Sequence, residues 1–214
     1  FFLWWVPLLN LFLVGHVYRT AKRELQLECA KAECNVMRKE SEICKTRYPI
    51  LLVHGIFFRD WQFFNYWGRI PAELIRNGAT IFYGKQQSAQ SISVSAEELA
   101  AQIQSVIDET GAEKVNVIAH SKGGLDCRCA MQEYGAAKYV ASLTTINTPH
   151  HGCAFVDDLL QKVPAGVARW IAAKYNRLFT KLGDQNPDFL AGVPKTVKNF
   201  IQNIPLFPVS IIRR

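Results

Sequence analysis

The sequence predicts an α/β fold built on a mostly parallel, doubly wound sheet, and three observations carry that reading. First, short apolar runs bounded by turn residues alternate with stretches of helical periodicity across residues 48–146, as expected for strands joined by crossover helices. Second, residues 115–119 form an apolar run, with Asn116 among them, that turns through His120, Ser121 and Lys122 into Gly123 and Gly124. Third, residues 48–53 form a similar run that ends in His54 and Gly55. Right-handed crossovers would set helices on both faces of such a sheet.

Each element has its own justification. Residues 1–14 are apolar apart from Pro7 and Asn10, and Arg19, Lys22 and Arg23 follow. A transmembrane helix needs about 20 apolar residues, so the 1–18 segment is marginal as a span. It reads as a membrane anchor with a basic flank, as the hydrophobic part of a signal peptide lacking an evident cleavage site, or as a buried or interfacial helix. The expected location is membrane-associated. Residues 19–47 read as a charged helical connector. Residues 70–78 look like the end of a helix closed by Gly78, and 79–83 form a short β-rich run. Ser95 and Glu98 make a capping box before the stripe Leu99, Ile103, Val106 and Ile107, and Gly111 closes that helix. Residues 115–119 suit a buried parallel strand. A helix from 123 to 134, stopped by Gly135, and a strand over 139–146 follow.

The turn at Ser121 has the form of a nucleophile elbow, usually G-x-S-x-G, with Ala119 in place of the first glycine. Small residues are needed on both sides of the serine, because the turn is strained and strand and helix approach closely. Ala119 and Gly123 meet that need. In such sites an oxyanion hole is made by the backbone N–H after the nucleophile and one from the loop after an upstream strand. That assigns the hole to Ile56 and Lys122 through their main chains, with Gly55 letting the loop turn and His54 and His120 flanking.

Residues 51–56, 119–124 and 147–152, read as Leu-Leu-Val-His-Gly-Ile, Ala-His-Ser-Lys-Gly-Gly and Asn-Thr-Pro-His-His-Gly, together resemble the bacterial triacylglycerol lipases of the α/β-hydrolase superfamily. The resemblance spans about 48–190. It implies an α/β-hydrolase domain over 48–193 and acyl transfer from a lipid or ester substrate to water through Ser121. It implies no metal or organic cofactor. Some lipases of the superfamily bind a structural calcium, but no ligand set for it stands out here.

The same resemblance implies the chain order Ser, Asp or Glu, His. Only His150 and His151 lie after Ser121, and both sit in the T-P-H-x-G loop that the family uses structurally. Asp157, Asp158, Asp184 and Asp188 also follow, but none ends a recognisable strand. The acid and base stay unassigned, and the expectation is a chain that is C-terminally incomplete relative to the family. Residues 194–214 form an apolar, Pro-punctuated tail without a match. Two alternatives stay open. One is another serine acyl hydrolase: a phospholipase, thioesterase or acyltransferase. The other is a non-catalytic, membrane-tethered lipase-like module.

At 214 residues the chain can bury a sizeable core. Its net charge of +7 is scattered, without a nucleic-acid reader motif, so no nucleic-acid partner is expected. The six cysteines show no C-x-x-C spacing and read as reduced thiols. The aromatic residues from Phe57 to Trp67 could line an acyl pocket or pack the next helix on the sheet. Residues 157–183 could form a cap or an ordinary packing helix.

Overall fold

The computed structural model describes residues 7–56, 66–152, 158, 162–181, 187–188 and 190. The elements in chain order are α1 (Pro7–Arg38), β1 (Ile50–Val53), α2 (Ile70–Arg76), β2 (Ile81–Tyr83), α3 (Ile92–Thr110), β3 (Val115–His120), α4 (Lys122–Glu133), β4 (Val140–Ile146) and α5 (Ala165–Lys181). The four strands form one sheet in the order β2-β1-β3-β4, with every pairing parallel. Leu51 sits between Phe82 and Val117, and Ala119 pairs with Val53 on one side and Thr145 on the other.

The order explains where a site can form. From β1 the chain crosses to β2 on one side, and from β3 it crosses to β4 on the other. The carboxyl ends of β1 and β3 therefore flank a topological switch point, where open α/β sheets leave a crevice. Gly55 follows β1 and Ser121 follows β3.

Strand β1 is buried on both faces, with alternate side chains serving two cores. Leu51 and Val53 join Val115, Val117 and Ala119 under α3 and α4, against Leu99, Ile103, Val106 and Leu125. Ile50 and Leu52 face Trp67 and Ala79, with Leu74 of α2 packed alongside. Trp67 thus packs on the sheet with Tyr66 alongside, whereas residues 57–65 of the aromatic run lie outside the described residues. Strand β3 is fully buried on one face only, because Asn116, Ile118 and His120 are half-buried.

The capping-box expectation is corrected. Helix α3 begins at Ile92, not after Ser95, and Ser91 is its N-cap, accepting from the Val94 N–H at 3.4 Å. Ser95 lies inside the first turns and is fully buried. Gly111, with φ +66°, closes the helix as expected through a 2.8 Å bond to the Ile107 carbonyl.

Helix α1 runs unbroken across the expected division between 18 and 19. Lys31 and Asn35 reach Glu73 of α2 at 3.2 and 2.9 Å, and Glu28 pairs with Arg69 at 2.6 Å. Among the described residues no helix is long and apolar enough to cross a membrane. In the 157–183 region, α5 buries Ala172 and Phe179 and exposes Val167, Trp170, Ile171 and Leu178.

Candidate active site

The serine tip is built by the backbone. Ser121 has φ +52° and ψ −126°, a conformation that side-chain-bearing residues adopt only when the surroundings impose it. Its N–H donates to the Ile146 carbonyl of β4 at 2.9 Å, and its carbonyl accepts from Gly124 at 3.2 Å. These bonds fix the turn between β3 and α4.

The glycines allow the close approach. A methyl group on Gly55 would come within 2.9 Å of both the Ser121 Cβ and the Tyr66 hydroxyl. One on Gly123 would strike the His54 carbonyl, and one on Gly124 the Thr148 side chain. The His-Gly loop, the elbow and the T-P-H-x-G loop are therefore pressed together, and the structure brings His54, Gly55, His120, Ser121 and Gly123 into one cluster. Ile56 ends the described part of the loop and is half-buried. Lys122 opens α4, where first-turn N–H groups lack intrahelical partners.

Several side chains brace the loop that the motifs alone did not single out. The Gly55 N–H donates to the Tyr66 hydroxyl at 3.1 Å, and that hydroxyl bonds His120 Nδ1. Gln86, buried after β2, donates to the His54 carbonyl at 3.1 Å. The Lys122 side chain, expected to matter less than its backbone, is buried and ion-paired with Asp126 at 2.8 Å. Tyr66 hid in the aromatic run and Gln86 in an ordinary turn, so neither carried a pattern. A lysine followed four residues later by an acid on a buried helix was a usable signal.

The histidines after the serine are accounted for. Arg128 Nη1 donates to His150 Nδ1 at 3.0 Å, so Nε2 carries the proton toward Thr145 Oγ1, also at 3.0 Å. Both ring nitrogens are used. Burial, then Arg128, then His151, lower the His150 pKa and favour the neutral ring. His151, Asp158 and Asp188 are exposed, and Asp157 and Asp184 lie outside the described residues.

The two thiols of α4 are poorly disposed to act as nucleophiles. Burial pushes Cys127 well above the ordinary thiol range and Cys129 up to about 12, with Asp126 adding to both. Burial likewise raises Asp126 to about 6, with Lys122 pulling the other way.

Comparison with known proteins bears on the whole arrangement. Residues 49–190 match the family model described as palmitoyl protein thioesterase. The chain is similar to triacylglycerol lipases of Pseudarthrobacter phenanthrenivorans and Burkholderia plantarii, each 38% identical over 146 residues. Those matches cover 64% of this chain but only 45% and 40% of the two lipases. The chain thus spans less than half the length of these curated relatives. The fold is similar to a Bacillus licheniformis lipase in its mature form, with a TM-score of 0.57 and 24% identity over 75% of this chain and 60% of that one.

Proposed function

Because the chain belongs to the palmitoyl protein thioesterase family and has the α/β-hydrolase fold, we propose that it carries the nucleophile and oxyanion hole of a lipase- or esterase-type hydrolase of carboxylic esters. The single observation that carries this reading is Ser121 held at φ +52° against Gly55, at the switch point of a parallel sheet. A strained turn is costly to keep without use.

In the proposed reaction the Ser121 hydroxyl attacks the ester carbonyl carbon. The N–H groups of Ile56 and Lys122 stabilise the resulting oxyanion, each worth about 10²–10³ in rate. The bond to the leaving alcohol breaks, and the alcohol departs with a proton. Water then attacks the acyl-serine, releasing the acid and restoring the hydroxyl. A base must relay the serine proton. Both His150 nitrogens already have partners, which disfavours it as that base and leaves the base unassigned.

A second reading, thioester hydrolysis, is supported by the description of the matching family model. One experiment separates the readings: turnover of a short-chain aryl ester and of a palmitoyl thioester by the chain and by Ser121→Ala. Ester turnover that vanishes in the mutant is expected. A preference for the thioester favours the second reading. Equal rates in mutant and parent for both substrates overturn hydrolysis at Ser121.

Association with a lipid surface is part of the same proposal. Leu11, Phe12, Val14 and Val17 are each exposed by 65% or more on α1, just before Arg19, Lys22 and Arg23. Apolar turns followed by cations suit an anionic bilayer interface. Co-sedimentation with anionic vesicles should be lost in Leu11→Asp/Phe12→Asp; undiminished binding removes the helix from this role.

A further inference from the structure

We propose that Lys122 is a positioning residue, whose side chain, clamped between Asp126 and Ser95, fixes the direction of its own backbone N–H beside Ser121. The inference rests on the acyl-hydrolase reading, in which that N–H faces the developing oxyanion.

The clamp is complete. Lys122 Nζ donates to Asp126 Oδ1 and Oδ2 at 2.8 and 3.0 Å and to Ser95 Oγ at 2.9 Å. An ammonium has three protons, and all are used. Ser95 passes its own proton to the Gln87 carbonyl at 2.9 Å. Gln87 in turn donates its N–H and its Nε2 to Glu98 at 2.8 and 2.6 Å. An unbroken set of hydrogen bonds therefore runs from the loop after β2, through α3, to the first residue of α4. The lysine and aspartate side chains at its centre are only 6% and 2% exposed.

Stability does not explain this arrangement. A helix N-terminus favours negative charge, and here its first residue is a cation. Lysine ahead of the acid at i,i+4 is the less favourable order. Buried ion pairs can often be replaced by apolar residues with no loss of stability. What an apolar pair would not supply is direction. A side chain held by three bonds in a packed interior loses its torsional freedom, and the restraint extends through Cα to the adjoining peptide. That peptide joins the strained Ser121 to the helix, and an oxyanion donor acts only when correctly aimed.

The test uses the full chain as wild type, as Lys122→Met and as Lys122→Met/Asp126→Leu. The last fills the space without bonds and remains informative if the single variant fails to fold. The probe is a p-nitrophenyl alkylphosphonate. The Ser121 oxygen bonds to phosphorus, the aryl P–O bond breaks, p-nitrophenolate leaves, and the serine proton passes to base or solvent. Release of p-nitrophenolate and the mass of the Ser121 peptide give the labelling rate, and its dependence on probe concentration gives the Kd. Amide exchange is followed at Ser121 and Gly124.

The double variant is expected to melt no lower than wild type and to bind the probe within about twofold, while its labelling rate falls by at least about tenfold, a fraction of one donor's worth. The two amides should exchange about tenfold faster. A double variant that labels at the wild-type rate overturns the clamp. If wild type is not labelled at Ser121, the hydrolase reading fails. The amides then decide the clamp alone, and unchanged exchange in the double variant overturns it.

Discussion

At the scale of single residues, Ser121 and Asp126 are where local preference and the fold disagree. Ser121 holds φ +52°, which glycine adopts freely and serine does not. Ser121→Gly should therefore stabilise the chain by about 1 kcal/mol, whereas Ser121→Ala, which keeps the Cβ, should not. Thermal melting of the two variants checks this. For Asp126 the sign of the pH effect follows from the direction of the shift. Its carboxyl sits at about 6 in the fold against an ordinary 3.8, so the folded state binds that proton more tightly than the unfolded one. The stabilisation is full below the unfolded value and is lost as pH rises through about 6. The stability of wild type relative to Lys122→Met/Asp126→Leu should thus decline from pH 4 to pH 6. Urea titrations at intervals across that window, differenced between the proteins, read it directly.

At the scale of elements, periodicity was legible and caps less so. Of the stripe Leu99, Ile103, Val106 and Ile107, the first three are buried as the spacing required and Ile107 is half-buried against the same core. The start of the same helix was misread, because Ser95 and Glu98 match a capping box in letters while their side chains serve other partners. Ser95 holds Lys122 and the Gln87 carbonyl, and Glu98 holds Gln87. Such long-range bonds leave no mark on local sequence. Ser91→Ala should lower stability by about 1 kcal/mol through the lost cap, and Leu99→Ala by about 2–5 kcal/mol through the cavity; denaturant midpoints rank the two. The elbow and the His-Gly loop were legible because each needs glycine or alanine at a fixed offset from a strand end. Tyr66 and Gln86 were not, since any side chain of suitable reach could brace a loop.

At the scale of the whole molecule, the parallel sheet follows from alternating strands and helices, whereas its strand order, and with it the switch point beside Ser121, does not. Nor does the way α1 rests on the domain. It depends on polar pairs that no periodicity encodes: the half-buried Lys31 and Asn35 on Glu73, and the exposed Glu28 on Arg69. Pairs at the surface of the core hold weakly, so Glu73→Ala should leave the melting of the core unchanged while trypsin cuts within α1 severalfold faster. Limited proteolysis beside calorimetry separates the two effects. The 32 residues of α1 form a rod about 48 Å long. A flexible tether of that many residues would let the domain sample a broad volume. A rod confines it to a shell, so on the proposed lipid-surface reading α1 would hold Ser121 within a narrow range of distances from the interface.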